Sequence, residues 1–238
     1  MRILVAAVVA AAVLLTAQSA AAQIVGLPPA SGSLSLQRAS VRRPPPRRTR
    51  TGIRAYGIFE TEALTAGQSF DALLGSSRFE LAGAGADIVH LWKGVFARVA
   101  VTDGKKTGQR VFVTSSKAVI PLNIPMTVRM TPFEIGGGWH AAPMDRGGHV
   151  EPYAGASGLW MHYKETSQFA DTGEDTDATF KGASVFGGLD IGFSFVHVGI
   201  EGLYRHLPKA LGDNGVSKSF GETNLGGAAL RLTFGIGF

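Results

Sequence analysis

The run Ala229-Leu-Arg-Leu-Thr-Phe-Gly-Ile-Gly-Phe238 alternates without a break. Leu230, Leu232, Phe234, Ile236 and Phe238 are apolar, while Ala229, Arg231, Thr233, Gly235 and Gly237 are small or polar. A period of two residues marks a β-strand with one apolar face. The same period recurs upstream. Val196, Val198, Ile200 and Tyr204 oppose His197, Gly199, Glu201 and Arg205. Ala183, Val185, Leu189, Ile191 and Phe193 alternate with Ser184, Gly188, Asp190 and Gly192, and Val95, Ala97, Val99 and Val101 with Arg98 and Ala100. Met126, Val128 and Met130 alternate with Thr127, Arg129 and Thr131; beyond Pro132 the apolar phase passes to Phe133 and Ile135. A proline at a phase slip predicts a β-bulge.

Working outward, the pattern predicts eight strands, near 53–64, 79–90, 93–103, 124–140, 149–165, 178–193, 196–207 and 224–238. Tight links fall near Leu91–Trp92 and Ser194–Phe195, with a longer one at Ala141–Gly148. Long polar links span 65–78, 104–123, 166–177 and 208–223. Within 104–123, Arg110–Thr114 and Lys117–Leu122 are placed to pair as a hairpin projecting beyond the rim. Short turns at one end and long loops at the other are the arrangement of bacterial outer-membrane barrels. With an even strand number, both termini fall on the short-turn, periplasmic side.

The non-apolar faces hold mainly Gly, Ala, Ser and Thr with a few charges. A water-facing sheet carries more Lys and Glu, whereas small residues suit the narrow interior of an eight-stranded barrel. The charges assigned inward are Arg54, Arg98, Arg129, Arg205 and Arg231 against Glu60, Asp87, Glu134, Asp190 and Glu201. A balanced set of this kind can satisfy itself by ion pairing, which buried charge requires. The expected fold is therefore all-β: an eight-stranded antiparallel transmembrane β-barrel with a disordered N-terminal arm.

Residues 1–22 read as a signal peptide, with Arg2, an apolar run from Ile3 to Leu15, and Ala20 and Ala22 in the small-x-small cleavage pattern. Residues 23–51 form a Pro/Arg-rich linker ahead of the barrel at 52–238. Between residues 23 and 59 there are seven arginines and no acid. The remaining chain, 60–238, holds 15 basic residues against 18 acids, so the net charge of +5 belongs to the N-terminal segment. The chain has no cysteine, which excludes disulfides, thiolate metal sites and a cysteine nucleophile. Its 32 glycines and 17% charged residues argue against helical bundles and coiled coils.

The eight amphipathic strands and the terminal run Leu230–Phe238 resemble small outer-membrane β-barrel proteins of the OmpA, OmpX and OmpW type. Thr131-Pro-Phe-Glu-Ile-Gly-Gly-Gly-Trp139 and Pro152-Tyr-Ala-Gly-Ala-Ser-Gly158 look like the paired fourth and fifth strands of that group. The resemblance covers about residues 52–238. It implies export to the bacterial outer membrane, contact with outer-membrane lipid and lipopolysaccharide, and Phe238 as the signal read by the barrel-assembly machinery. It implies no single activity.

The expected role is structural or surface-interactive, exerted through the long loops by a monomer without cofactor or nucleic-acid partner. Three alternatives remain open. A narrow channel or carrier for small apolar solutes needs an open, weakly charged lumen. A lipid-modifying enzyme would draw on Ser184, Asp190 and His197, a hydroxyl, a carboxylate and a base. A soluble lipocalin-like barrel needs its apolar faces inward. Glu165, Asp171, Glu174, Asp175 and Asp177 do not match a calcium-loop spacing. His140, Asp145 and His149 at one turn are a weak metal set, so neither catalytic nor metal residues are assigned. Trp92, Trp139 and Trp160, with Tyr153 and Tyr163, are candidates for aromatic girdles.

Overall fold

The alternating runs become eight strands, β1 (Gly52–Leu64), β2 (Arg78–Trp92), β3 (Val95–Val113), β4 (Val119–His140), β5 (Val150–Ser167), β6 (Thr176–Phe193), β7 (Val196–His206) and β8 (Gly227–Gly237). The computed structural model describes residues 52–141, 150–168, 175–193, 195–213 and 215–237. The segments expected to be a signal peptide (1–22) and a linker (23–51) lie outside the described residues, as do Phe238, Asp145, His149, Asp171 and Glu174. Each strand pairs antiparallel with its neighbour in sequence, and β8 returns to β1, so the sheet is a closed barrel without a free edge along its girth.

At the end holding Gly52, β2 and β3 are joined at Lys93–Gly94, both with positive φ (46° and 90°). That backbone is the two-residue hairpin turn whose twist matches the strands it joins, and Gly94 accepts it without a Cβ clash. At the opposite end the strands differ in height. β3 and β4 run on past their outer neighbours: β5 pairs with β4 as far as Met126↔Ser167, and the pairs from Val111↔Pro121 to Val113↔Val119 form a ribbon standing above the rest of the wall. The link predicted at 104–123 is thus largely strand.

Two links at this upper end contain helices, α1 (Gly67–Leu74) and α2 (Gly215–Phe220), which the period-two reading did not contain. α1 lies across the mouth with Phe70 and Leu74, one turn apart, buried beneath it. Its first free N–H groups, on Gln68 and Ser69, donate to the Glu222 carboxylate at 3.0 and 2.9 Å. An acid is well placed there because helix N-termini carry unpaired donors and partial positive charge. Lys106 Nζ donates to the carbonyls of Ser76 and Arg78 at 3.0 and 2.9 Å, holding the end of the same link to β3.

No bulge occurs at Pro132. The β4–β5 register runs unbroken from Met126↔Ser167 to His140↔Tyr153. The side chains keep their geometric alternation throughout, and what changes at Pro132 is their polarity. Below it Glu134 points in and Phe133 and Ile135 point out; above it Met126, Val128 and Met130 point in and Arg129 points out. The other long strands change in the same way. β2 has Asp87 inside and Ile88 outside low down, then Phe79 and Leu81 inside and Glu80 outside near its top. β5 passes from Ser157 inside and Ala156 outside to Met161 and Tyr163 inside and Lys164 outside. The barrel has two zones: a lower one, apolar outside and charged inside, and an upper one, charged outside and apolar inside.

Candidate functional site

The interior of the lower zone is a stack of arginines. Arg54 on β1 pairs with Asp190 and, at 3.2 Å, with Glu151, close to the lower rim. Above it Arg98 on β3 holds Asp87 through two bonds of 3.0 and 3.2 Å and also reaches Glu201. Its guanidinium sits among four rings, 4.7 Å from Phe186, 5.4 Å from Phe96 and from Tyr153, and 5.7 Å from Tyr56. Stacking of this kind suits the planar, weakly hydrated guanidinium. Tyr56 donates its hydroxyl to Asp87 at 2.7 Å, orienting the acid from the other side.

Higher still, Arg231 on β8 bonds Glu60 at 2.8 Å, Glu134 at 2.9 Å and Glu201 at 3.0 Å. Arg205 on β7 bonds Glu134 at 2.9 Å, Glu62 at 2.6 Å, and Glu60. Arg205, Glu60 and Glu62 are fully enclosed. Beside them the hydroxyls of Ser157 and Ser184 share a hydrogen bond of 2.5 Å. The apolar upper zone closes the stack with Leu64, Phe79, Leu81, Met126, Met130, Leu159, Met161 and the α1 residues Phe70 and Leu74.

Nine of the ten charges assigned to the lumen from sequence stand inside: Arg54, Glu60, Asp87, Arg98, Glu134, Asp190, Glu201, Arg205 and Arg231. Arg129 is the correction. Its side chain is 57% exposed on the outer wall and bonds Asp103 at 2.8 and 3.1 Å. The reason is the change of zone: Arg129 lies above Pro132, where polar residues face out. The Asp103 carboxyl, held by Arg129 and by the Thr131 hydroxyl, is pulled below the usual aspartate range.

Glu62 and Glu151 were not in the assigned set. With them, seven acids, Glu60, Glu62, Asp87, Glu134, Glu151, Asp190 and Glu201, face four arginines among the described residues, so the interior is acid-rich. Glu62 Oε1 has no hydrogen-bond partner. Both residues continue the inward parity, of Glu60 and of Tyr153 respectively, and that parity was the available signal. The aromatic setting of Arg98 comes from β1, β3, β5 and β6 and had no local signature.

Ser184, Asp190 and His197 do not assemble. Ser184 bonds Ser157, Asp190 is engaged by Arg54, and His197 sits opposite Gly192, eight residues along β6 from Ser184 and about 26 Å away at strand rise. No group of three or more potential metal ligands occurs among the described residues. Trp92, Trp139 and Trp160 face outward, with Trp139 Nε1 bonded to the Lys93 carbonyl at 2.8 Å; Tyr153 and Tyr163 instead point in and are buried.

Around the lower network the available space is about 20 Å³, room for one water. The upper mouth is different. A cleft of about 520 Å³ opens between α1, the ribbon and the 208–217 link, walled by Phe70, Leu73, Met126, Phe180 and Leu211 with Arg110 and Glu165 at its polar side. Burial pushes the Glu165 carboxyl up, against the lowering effect of the Tyr163 hydroxyl that bonds it at 2.9 Å. The ribbon beside it exposes Phe112, Val119, Ile120 and Leu122, and no acid occurs between residues 104 and 133.

No protein-family model matches the chain, and no curated protein matches it in sequence. Solved structures similar to it include the N-terminal β-barrel domain of Pseudomonas aeruginosa OprF, at 12% identity and a TM-score of 0.45, covering 79% of this chain and 98% of that one. The attachment invasion locus protein Ail of Yersinia pestis, in complex with a heparin analogue, matches at 10% identity and 0.46, covering 79% and 100%. Neisserial surface protein A matches at 14% identity and 0.43, covering 78% and 94%.

Proposed function

We propose that this chain is an outer-membrane β-barrel with a structural or surface-interaction role, its lumen closed and its upper zone standing outside the bilayer. The observation that carries the reading is the inversion of polarity along the strands. In the lower zone the outer wall is Ile53, Phe59, Ile88, Val99, Ile135, Leu189, Ile200, Leu232 and Phe234, all well exposed, over an interior of paired charges. A protein in water does not expose a continuous apolar belt of this extent. Hydrocarbon requires it, together with a closed sheet that leaves no backbone group unpaired. The upper zone has the ordinary polarity of a protein in water.

The test is mobility of membrane-extracted protein with and without boiling, alongside outer-membrane fractionation and conductance in planar bilayers. The expected result is a heat-dependent shift, recovery in the outer-membrane fraction and no ion current. Soluble protein without a shift overturns the membrane assignment; a steady current overturns the closed lumen.

A second reading has one observation in its favour. The 520 Å³ cleft has the size and apolar walls of a small-molecule site. It supports retention of a small apolar solute at the mouth, while the network beneath opposes its passage through the lumen.

A further inference from the structure

At the upper edge of the apolar belt, the outer walls of β5 and β6 bring a hydroxyl, an imidazole and a carboxylate together. His162 stands directly opposite Thr179, and Lys164 directly opposite Asp177. All four side chains face outward and are exposed. His162 Nδ1 lies 3.4 Å from the Thr179 hydroxyl, and its Nε2 lies 3.5 Å from Asp177 Oδ1. The other oxygen of that carboxylate, Oδ2, is held by Lys164 at 3.1 Å. A carboxylate so placed favours the tautomer with its proton on Nε2, which leaves Nδ1 unprotonated and turned toward the hydroxyl. A nucleophile, a base beside it and an acid that orients the base are the parts that acyl transfer needs. Their spacing is the loose one of a site without substrate.

Two further features belong to the same patch. Lys181 follows Thr179 by two residues on the same face of β6, about 7 Å away at strand rise. It forms no ion pair among the described residues, and its ammonium is within reach of an ester carbonyl seated on the Thr179 hydroxyl, where an oxyanion develops. Just below, Trp160 stands opposite Lys181 and its ring lies 6.1 Å from that of Phe133. These two rings are the uppermost large apolar side chains of the belt on β5 and β4, and they offer an acyl chain an apolar seat. The height agrees. His162 is two residues above Trp160, a rise of about 7 Å along the strand, or about 5 Å along the membrane normal at a tilt of about 40°. The polar layer over the hydrocarbon is about 5–8 Å deep on each side, and the ester groups of a lipid join its chains to that layer.

We propose that Thr179 and His162 hydrolyse a carboxylic ester of a membrane lipid, with Asp177 as the positioning residue and Lys181 at the oxyanion. His162 Nδ1 takes the hydroxyl proton as Thr179 Oγ1 bonds to the ester carbonyl carbon. The tetrahedral oxyanion collapses, the carbon–alkoxy bond breaks, and the leaving alkoxide takes the proton from His162. Water then attacks the acyl-threonine and gives a proton to His162, and the bond to Oγ1 breaks as that proton returns to Thr179. One ester and one water become one alcohol and one carboxylic acid. The choice of a lipid as substrate rests on the membrane orientation proposed above; the chemistry rests on the contacts between β5 and β6.

The test uses the full barrel in vesicles of diacyl phosphatidylethanolamine and phosphatidylglycerol, whose acyl esters are the substrate. Released fatty acid is measured by mass spectrometry, and an alkyl fluorophosphonate is added in parallel to trap the nucleophile. Wild type is expected to release fatty acid above the rate of protein-free vesicles and to carry the phosphonyl group on Thr179. Thr179→Val is expected to lose both. His162→Gln is expected to lower kcat about a hundredfold to ten-thousandfold, the range of a positioned general base, and Lys181→Gln about a hundredfold. Asp177→Asn is expected to lower kcat with KM unchanged, because the acid touches the base and not the lipid. No release above background, a label on another residue, or release that survives Thr179→Val, as from a bare surface imidazole, overturns the site. Mobility before and after boiling is read on the same samples. An absent shift marks a failed membrane barrel, and a shifting barrel without Thr179-dependent release marks a failed catalytic site.

Discussion

Replacing Arg205 by methionine removes the cation that Glu60, Glu62 and Glu134 share, at a position with no exposed surface. Arg231 still serves Glu60 and Glu134, but Glu62 is left with no ion pair among the described residues. Breaking a buried ion pair by deleting one partner costs about 3–5 kcal/mol, because the other charge remains buried. With a urea dependence of about 2 kcal/mol per molar for a chain of this size, a loss of about 4 kcal/mol moves the unfolding midpoint down by about 2 M. The assay is reversible urea unfolding of the barrel in lipid vesicles, followed by tryptophan fluorescence. Glu62→Gln supplies the control. It removes one acid from an acid-rich interior and keeps an acceptor for Arg205, so its cost is expected below about 1 kcal/mol. In the double variant the loss should be smaller than the sum of the two, with a coupling of about 1 kcal/mol or more. An Arg205→Met midpoint within about 0.5 M of wild type, a loss under about 1 kcal/mol by the same slope, would refute the view that these charges are held by one another.

Three further perturbations probe other parts of the molecule. A Cβ at Gly108 collides with the backbone carbonyl of Leu73, so Gly108→Val is expected to lift α1 from the mouth; limited proteolysis should cut within 65–78 while the heat-dependent mobility shift persists. The Glu165 carboxyl is raised by burial, so the folded state holds its proton more tightly than the unfolded one and stability falls as pH rises through the unfolded value toward the folded one. Glu165→Gln is therefore expected to be stabilising at pH 7 and nearly neutral below pH ~4, read as thermal unfolding at the two pH values. Phe59, 67% exposed on the outer wall of β1, is expected to tolerate leucine but not lysine. A cation on the lipid-facing wall costs up to about 2–4 kcal/mol, most at the midplane, and on the proposed orientation Phe59→Lys should show a loss of up to that size in vesicles.

The strands were legible because barrel geometry writes itself into sequence at a period of two, and Leu230 to Phe234 or Val196 to Ile200 hold that period within a few residues. The inward position of Arg98, Glu134 and Arg231 follows from the same local signal. What failed was the assumption that one strand has one polarity. At Pro132 the apolar residues change parity, which a chain in a single solvent does only by inserting a residue. Here the register is unbroken and the polarity of the two faces inverts instead, and Arg129 was placed inside for want of that distinction. The helix α1 was missed for a different reason: Phe70 and Leu74 are a single turn's worth of pattern, and the acid that caps the helix, Glu222, is far away in sequence. The rings around Arg98 come from four strands, and no local window contains them.

Taken as a path for solutes, the barrel presents two barriers in series. The lower one is the stack from Arg54 to Arg205, in which parting Arg231 from Glu60, Glu134 and Glu201 leaves buried charges unpaired on both sides. The upper one is the apolar plug under α1, whose helix is tied from two directions, by Glu222 at its N-terminus and by Lys106 at the link that follows. Opening the lower one requires breaking buried charged contacts with no replacement from water, opening the upper one requires freeing α1 from its ties, and a solute must pass both. Nothing comparable guards the outside of the upper zone. There the ribbon exposes Phe112 and Ile120 on one face of its paired strands, carries only basic charge from 104 to 133, and stands above its neighbours. On the outer-membrane reading proposed above, the paired interior would fix the barrel, and this cationic, partly apolar rim would be the surface a partner outside the membrane meets.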